Sequence, residues 1–345
     1  MRILIVGGNK SWWAIERYYI DHLKELGAEV QVYAAPDIVF DYHSKNIFNK
    51  LLFKSKIKTG YKEVNLGLLE SAQRMKPDII WVFKGMEIYP ATLKQLKTQF
   101  KLVNYNPDHP FIISGSGSGN KNVTDSVGIY DLHFCYNSIL QKQIEQEYGI
   151  PAVFLPFGFE LKEEDYLVAA GEPELNRICF IGNPDRIREN TVRLFAENGF
   201  AVDVYGRGWN KTALKNLANV GIHDAVNGME FWKKIRGYRV QVNIFRKHNI
   251  GSHNMRSFEI PAAGGIQLAP FSTEHASFFE EGKEIFLYRN PEEMLQLAGE
   301  LLQKSKENTG IIRQAARMRS CESGYTYKDR ALTVFNTLQK MLTNE

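Results

Sequence analysis

Short, uninterrupted apolar runs recur along this chain, and each is followed by a stretch with helical periodicity. ILIV (3–6), IIWVF (79–83) and ICFI (178–181) show none of the polar–apolar alternation of a half-solvated strand. A strand that is apolar at every position is buried on both faces, which happens when helices cover both sides of a parallel sheet. Parallel neighbours need long crossovers, and the intervening helical stretches supply them. The fold class is therefore α/β.

The order of elements divides the chain. The first strand enters Gly7-Gly8-Asn9, and a helix over about 13–26 closes at Gly27. Further strands are predicted at 28–35, 79–85, 101–106, 131–136 and 152–158, with helices at 67–76, 90–99 and 138–149. FELKEEDYLVAAGEPELN (159–176) is acidic and poorly patterned and reads as a crossover. The alternation restarts with RICFIGN (177–183), and helices are predicted at 188–199, 229–238, 257–265, 274–282, 291–307 and 328–343. Strands lie between them at 201–208, 240–245, 266–271 and 284–288. Two successive Rossmann-like domains facing a cleft account for this, with ligands expected beyond the C-terminal strand ends.

Bulk properties narrow the function classes. A chain of 345 residues with 44% hydrophobic residues can fill two cores. A net charge of +4 is too mild to argue for nucleic acid and suits a phosphate-bearing ligand. Cys135, Cys179 and Cys321 fit neither a disulfide framework nor a zinc site, so a reduced cytosol is the expected compartment. MRILIVGGNK reads as a strand, not a signal peptide, and no apolar run reaches transmembrane length. Gly7-Gly8 lacks the third glycine and the later acid of a dinucleotide fingerprint. Two stretches stand outside the rhythm. The Lys-rich 41–63 reads either as a solvated helix with a core face or as a peripheral membrane-surface or acceptor-binding segment. ISGSGSGN (113–120) reads as a lid or as a tolerated insertion.

NMRSFEIPAAGG (254–265), FFEEGKEIFLYRNPEEM (278–294) and YTYKDRA (325–331) resemble the C-terminal half of GT-B glycosyltransferases. More narrowly, they resemble the CgeB/YkvP-like "glycosyl transferases group 1" set. KPDIIWVFKG (76–85), NYNPDHPF (104–111), FLPFG (154–158), CFIGN (179–183) and VYGRGW (204–209) fit the same family in the same order. The resemblance implies domains at 1–160 for the acceptor and 161–327 for a nucleotide-sugar donor. A final helix, 328–345, would return to the first domain. It implies transfer of a sugar from a nucleoside diphosphate, such as UDP, to an acceptor hydroxyl, in surface polysaccharide, glycoconjugate or natural-product glycosylation. No metal and no cofactor beyond the sugar nucleotide are implied, and the partners are that donor and a hydroxyl-bearing acceptor. Monomer and homodimer both remain open.

In retaining members of that family a Glu four residues before an Ala-x-Gly turn holds the ribose, and Glu259 occupies this place. A carboxylate there accepts both ribose hydroxyls in charge-assisted bonds. Gly264 and Gly265 would let backbone approach the ligand. Amides near Ser272 and Thr273 open a helix suited to a diphosphate. Asn254 lies beside them, and Arg256, Arg246 and Lys247 offer cations for the leaving diphosphate. The turn Gly182-Asn183, followed by Arg186 and Arg188, is a second candidate, and Gly206-Arg207-Gly208 ends a strand on the same rim. Asp108 and His109 follow the 101–106 strand. One of them would be the general base of an inverting enzyme, or His109 would hydrogen-bond the donor sugar of a retaining one. Gly8, Asn9, Lys84 and Glu87 line the acceptor edge. The family's second carboxylate, eight residues before the ribose Glu, is here Gly251, so a retaining outcome is only slightly favoured. A nucleotide-sugar epimerase or hydrolase, and a non-catalytic sugar-nucleotide binding module, are the alternatives.

Overall fold

The apolar runs become strands, and each pairs in parallel with its neighbours. The computed structural model describes residues 1–8, 14–44, 60–113, 117–246 and 251–343. Asn9, Lys247, most of the Lys-rich segment (45–59) and part of the Ser-Gly loop (114–116) lie outside the described residues. Two compact units emerge: Met1–Pro156 with Tyr327–Glu345, and Phe157–Thr326. Among the described residues no helix is long and apolar enough to cross a membrane.

Unit 1 runs β1 (Arg2–Val6), α1 (Glu16–Glu25), β2 (Glu29–Tyr33), α2 (Ala35–Ser44), α3 (Tyr61–Met75), β3 (Ile79–Phe83), α4 (Pro90–Lys97) and β4 (Lys101–Asn106). It continues through α5 (Lys121–Ser126), β5 (Leu132–Cys135), α6 (Ser138–Tyr148) and β6 (Ala152–Phe154). The sheet order is β2-β1-β3-β4-β5-β6. One face, with Leu4, Val6, Ile80, Val82 and Leu102, packs on Leu68 and Ala72 of α3 and on Leu93 and Leu96 of α4. The other face is aromatic. Tyr19 of α1 meets Trp81 edge-on at 5.2 Å, and Phe83 and Tyr105 complete the layer. The last helix of the chain, Tyr327–Thr343, covers it: Tyr327 stacks on Tyr18 at 4.8 Å and meets Tyr19 edge-on at 5.6 Å.

Unit 2 holds α7 (Glu163–Ala170), β7 (Leu175–Ile181), α8 (Arg186–Glu197), β8 (Val202–Tyr205), β9 (Val220–His223), α9 (Gly228–Gly237) and β10 (Tyr238–Val242). α10 (Arg256–Ala262), β11 (Gln267–Pro270), α11 (Thr273–Phe278), β12 (Phe286–Tyr288), α12 (Pro291–Gln303) and α13 (Lys306–Glu322) follow. Its sheet order is β12-β11-β10-β7-β8-β9. Phe180, Val204, Val240 and Leu268 pack with Phe195 of α8 and Met294, Ala298 and Leu301 of α12. Strand order reverses between β1 and β3 in unit 1 and between β7 and β10 in unit 2. Loops leaving the C-terminal ends diverge at such a point and open a crevice. The two sheets with their flanking helices form the GT-B fold.

Three departures from the sequence expectation have local causes. The 159–176 crossover contains α7, whose Glu163, Glu164 and Asp165 suit the positive end of a helix but leave little apolar periodicity to read. The helix expected over 291–307 ends at Gln303, because Ser305 caps a new helix by accepting from the Asn308 N–H at 3.2 Å. The short edge strand β9 has no continuous apolar run.

Candidate functional site

At the reversal of unit 2, β7 ends in Gly182-Asn183 and β10 ends before Asn243 and Arg246. The Gly182 turn is locked to the Gly206 turn. Gly182 O accepts the Trp209 indole N–H at 2.7 Å, and Asn183 Oδ1 accepts the Arg207 N–H at 2.9 Å. A Cβ on Gly206 would lie 2.3 Å from Gly182 O, so only glycine permits this contact. Asp185 caps α8 and sets its first turn across the crevice.

Arg188 rises from that turn. Its Nη1 donates to Asn183 O at 2.9 Å, its Nη2 reaches Ile244 O at 3.5 Å, and its guanidinium lies 5.2 Å from the Phe180 ring centroid. Burial pulls its pKa down to about 10; Asp185 opposes this, while Arg246 and Arg256 push it further down. Arg188 at the strand-order reversal thus feels the charges of two further guanidiniums, Arg246 and Arg256. Arg256, on the first turn of α10, lies over the Phe231 ring at 4.3 Å and pairs with Glu259 one turn later. The Nε of Arg256 is buried without a hydrogen-bond partner. That of Arg188 forms no hydrogen bond and has only an ion-pair contact of 3.4 Å to Asp185. Buried donors left open beside like charges are matched by an anion with several oxygens.

A neutral polar network fixes α10 from below. Asn243 and Asn254 exchange amide hydrogen bonds of 3.0 and 2.8 Å. Ser257 accepts the Asn254 N–H at 3.1 Å. Pro261 sits inside α10 and removes the donor that would have met Ser257 O; Gln267 Nε2 approaches that carbonyl at 3.5 Å instead. Beneath the loop before α10, fully buried His253 accepts the Phe157 N–H on Nε2 at 3.3 Å. Its Nδ1–H therefore donates to Glu274 at 2.8 Å, and Ser252 Oγ donates to the same carboxylate.

Several expected residues take other places. Gly264 and Gly265 are buried in the α10–β11 turn. Gly264 adopts φ 66° and its carbonyl accepts Arg313 at 2.9 Å; a Cβ on Gly265 would meet Ile260 at 2.8 Å. Their lack of side chains serves packing of this turn. Ser272 caps α11 with its own hydroxyl, accepting from His275 N–H at 2.9 Å and donating to Ser252 O at 2.8 Å. Thr273 and Arg186 are exposed on first helical turns. Arg256 and Glu259 form a pair, Arg188 binds Asn183 O, and Arg246 and Arg256 act electrostatically on Arg188.

In unit 1 the β1/β3 reversal carries a second polar group. Lys84 follows β3 in a left-handed conformation, φ 59°, which a side-chain-bearing residue adopts only at a cost of about 1–3 kcal/mol. Its ammonium pairs with Asp108 at 2.6 Å and donates to Gly117 O at 2.8 Å. Glu16, at the start of α1, accepts the Gly8 N–H at 3.1 Å. Burial raises the pKa of Glu16, opposed by its own and the Gly8 N–H and by Lys84. Burial likewise raises that of Glu87, opposed by its own N–H and by Lys84, with Glu16 adding to the rise. His109 accepts the Phe111 N–H on Nδ1 at 3.3 Å, which leaves the proton of the neutral ring on Nε2. Glu16 carries no motif; its place became visible only when β1 and β3 became neighbours.

Residues 186–336 match the family model described as "Glycosyl transferase-like". No curated protein sequence matches the chain significantly. Among solved structures, sucrose-phosphate synthase from Thermosynechococcus elongatus is similar at TM-score 0.70 and 12% identity, covering 100% of both chains. Anabaena Alr3699/HepE in complex with UDP-glucose is similar at TM-score 0.65 and 12% identity, also covering 100% of both. The UDP-GlcNAc 2-epimerase from Neisseria meningitidis bound to UDP-GlcNAc reaches TM-score 0.57 at 13% identity, covering 99% of this chain and 100% of that one.

Proposed function

We propose that this protein is a glycosyltransferase whose second unit grips a nucleoside-diphosphate sugar at the β7/β10 reversal and whose first unit takes the acceptor hydroxyl. The reading extends to the CgeB/YkvP-like set and to surface-polysaccharide, glycoconjugate or natural-product glycosylation. One observation carries it: Arg188 bridges the ends of β7 and β10, where an open parallel sheet binds ligands, within electrostatic reach of Arg246 and Arg256, and the buried Arg256 Nε has no hydrogen-bond partner. A diphosphate supplies the missing acceptors. Its charge grows as the glycosidic bond breaks, so these guanidiniums would stabilise the leaving group with no metal required. Glu259 lies one turn from Arg256 and pairs with it; its carboxylate would accept the ribose hydroxyls. Asn183 and Asn254 would frame the sugar nucleotide, with Lys247 a further candidate cation and Gly8, Asn9 and Lys84 on the acceptor side.

A retaining outcome is supported by His109. With its proton on Nε2, the neutral ring donates to a sugar hydroxyl and is not a base at that nitrogen. Asp108, already paired with Lys84, would then orient that edge. HepE and the Neisseria epimerase hold uridine nucleotides, so UDP is the first base to test. Calorimetric titration with UDP, GDP and dTDP tests the donor site. Product analysis of a UDP-sugar with and without acceptor then separates transfer from epimerisation, hydrolysis and binding without turnover. Absence of binding by every nucleoside diphosphate would overturn the proposal.

A further inference from the structure

The loop that leads into α10 is anchored by a buried polar pair. His253 is 0% exposed, and its ring lies edge-on to Phe157, Phe258 and Phe278, with centroids 5.7, 5.4 and 5.1 Å away. Aromatic packing of that kind would hold a phenylalanine as well. The imidazole adds direction: its Nε2 accepts the Phe157 N–H, and its Nδ1–H donates to Glu274 on the first turn of α11. Ser252 reinforces the anchor, because its hydroxyl donates to Glu274 and its carbonyl accepts the Ser272 hydroxyl at 2.8 Å. Burying a carboxylate and an imidazole adds little stability over apolar packing, so the pair is better explained by the geometry it fixes.

That geometry is the start of α10. Met255 supplies no side-chain cap; Asn254 does, its Oδ1 accepting the Ser257 N–H at 3.2 Å. Asn254 follows His253 directly, and Arg256 stands on the turn that Asn254 begins. The Arg256 guanidinium rests on the Phe231 ring and on Glu259 of its own helix, and its Nε has no hydrogen-bond partner. Its place is therefore set mainly by where its backbone starts. The far end of α10 is held separately, by Arg317 on Ala262 O at 2.9 Å. All of these residues belong to unit 2.

We infer that His253 is a positioning residue for the donor site: with Glu274 and the Phe157 N–H it fixes the first turn of α10 and so aims Arg256 at the diphosphate. The diphosphate role rests on the transferase reading above; the anchoring of the turn rests on the hydrogen bonds alone. A guanidinium must be held to within about 0.5 Å to meet phosphate oxygens productively, and a flexible side chain gains that precision only from its support.

The test uses the full chain and its His253→Asn variant, which keeps a donor for Glu274 and loses the acceptor for the Phe157 N–H. Glu274→Gln is the second variant, should the first fail to fold. Without ligand, amide exchange at Phe157, Ser257 and Glu259 should quicken by about tenfold or more. Ile178 and Gln241, bonded within the sheet of unit 2, should keep wild-type rates, which shows that the variant is folded. UDP and inorganic pyrophosphate should both bind about tenfold more weakly, and to the same extent. In an Arg256→Ala background the same substitution should change either affinity by less than about twofold, whereas general loosening would weaken binding in both backgrounds. Unchanged exchange at Ser257 and Glu259, unchanged UDP affinity, or a full loss that persists beside Arg256→Ala would overturn the inference. Loss of the fold in both variants would assign the pair to core stability and overturn it too. A wild-type chain that bound neither UDP nor pyrophosphate would instead refute the transferase reading, and the exchange rates would still decide whether the pair fixes the turn.

Discussion

Replacing Glu259 by glutamine is the most direct probe of the donor site. In the structure its carboxylate pairs with Arg256, and the two side chains are 11% and 25% exposed. Breaking a fully buried pair costs about 3–5 kcal/mol and a surface pair about 0–1 kcal/mol. Glutamine also keeps an acceptor oxygen near Arg256, so about 1 kcal/mol of stability should be lost. Binding should suffer more. Two charge-assisted bonds to a ribose diol become at most one neutral bond, a loss of about 1.5–3 kcal/mol, or about 10–150-fold in Kd. Calorimetry with UDP, with dTDP (which lacks the 2′-hydroxyl) and with inorganic pyrophosphate separates the routes. If Glu259 holds ribose, the variant loses affinity for UDP most, for dTDP less and for pyrophosphate least. Equal losses for UDP and pyrophosphate would mean that Glu259 acts only by aiming Arg256, and unchanged UDP affinity would refute the reasoning altogether.

Arg188→Ala should weaken nucleoside-diphosphate binding by at least about tenfold and pyrophosphate binding equally, because its proposed contact is to phosphate; fluorescence or calorimetric titration reads this. Gly206→Ala should destabilise unit 2 by more than about 2 kcal/mol in urea unfolding, since the added methyl would meet backbone and not a yielding side chain. Burial pulls the pKa of His133 down to about 4, opposed by its bond to Val127 O. Between pH 6.5 and about 4 the unfolded chain binds a proton that the folded chain refuses, so stability falls with pH across that window and is complete above it. At pH 5 the loss should be about 2 kcal/mol relative to pH 7, and His133→Gln should remove it; urea midpoints at the two pH values decide.

The fold was largely legible because apolar runs and capping residues are local signals. Asn137, which accepts the Ile139 and Leu140 N–H groups, and Gly149, at φ 64°, bracket α6 where the sequence places it. The nearness of Arg256 and Glu259 is a local signal too, since they stand one helical turn apart. The electrostatic reach of Arg246 to Arg188 is not, since it depends on β7 lying beside β10, a pairing that spans about sixty residues and leaves no trace in spacing. Glu16 was hidden for the same reason. In the PAAGG stretch, glycines required by a tight helix–strand turn look the same in sequence as glycines that admit a ligand.

The pairing of Tyr327 with Tyr18 and Tyr19 has a consequence for biosynthesis. The middle of the polypeptide, Phe157–Thr326, is one uninterrupted stretch and can complete its core as soon as it leaves the ribosome. The first sheet cannot, because the helix that roofs its aromatic side is translated after the whole of the second unit. Usual N-to-C maturation is thereby inverted: the segment made second finishes first, and the nascent chain carries an uncapped tyrosine surface until that helix emerges.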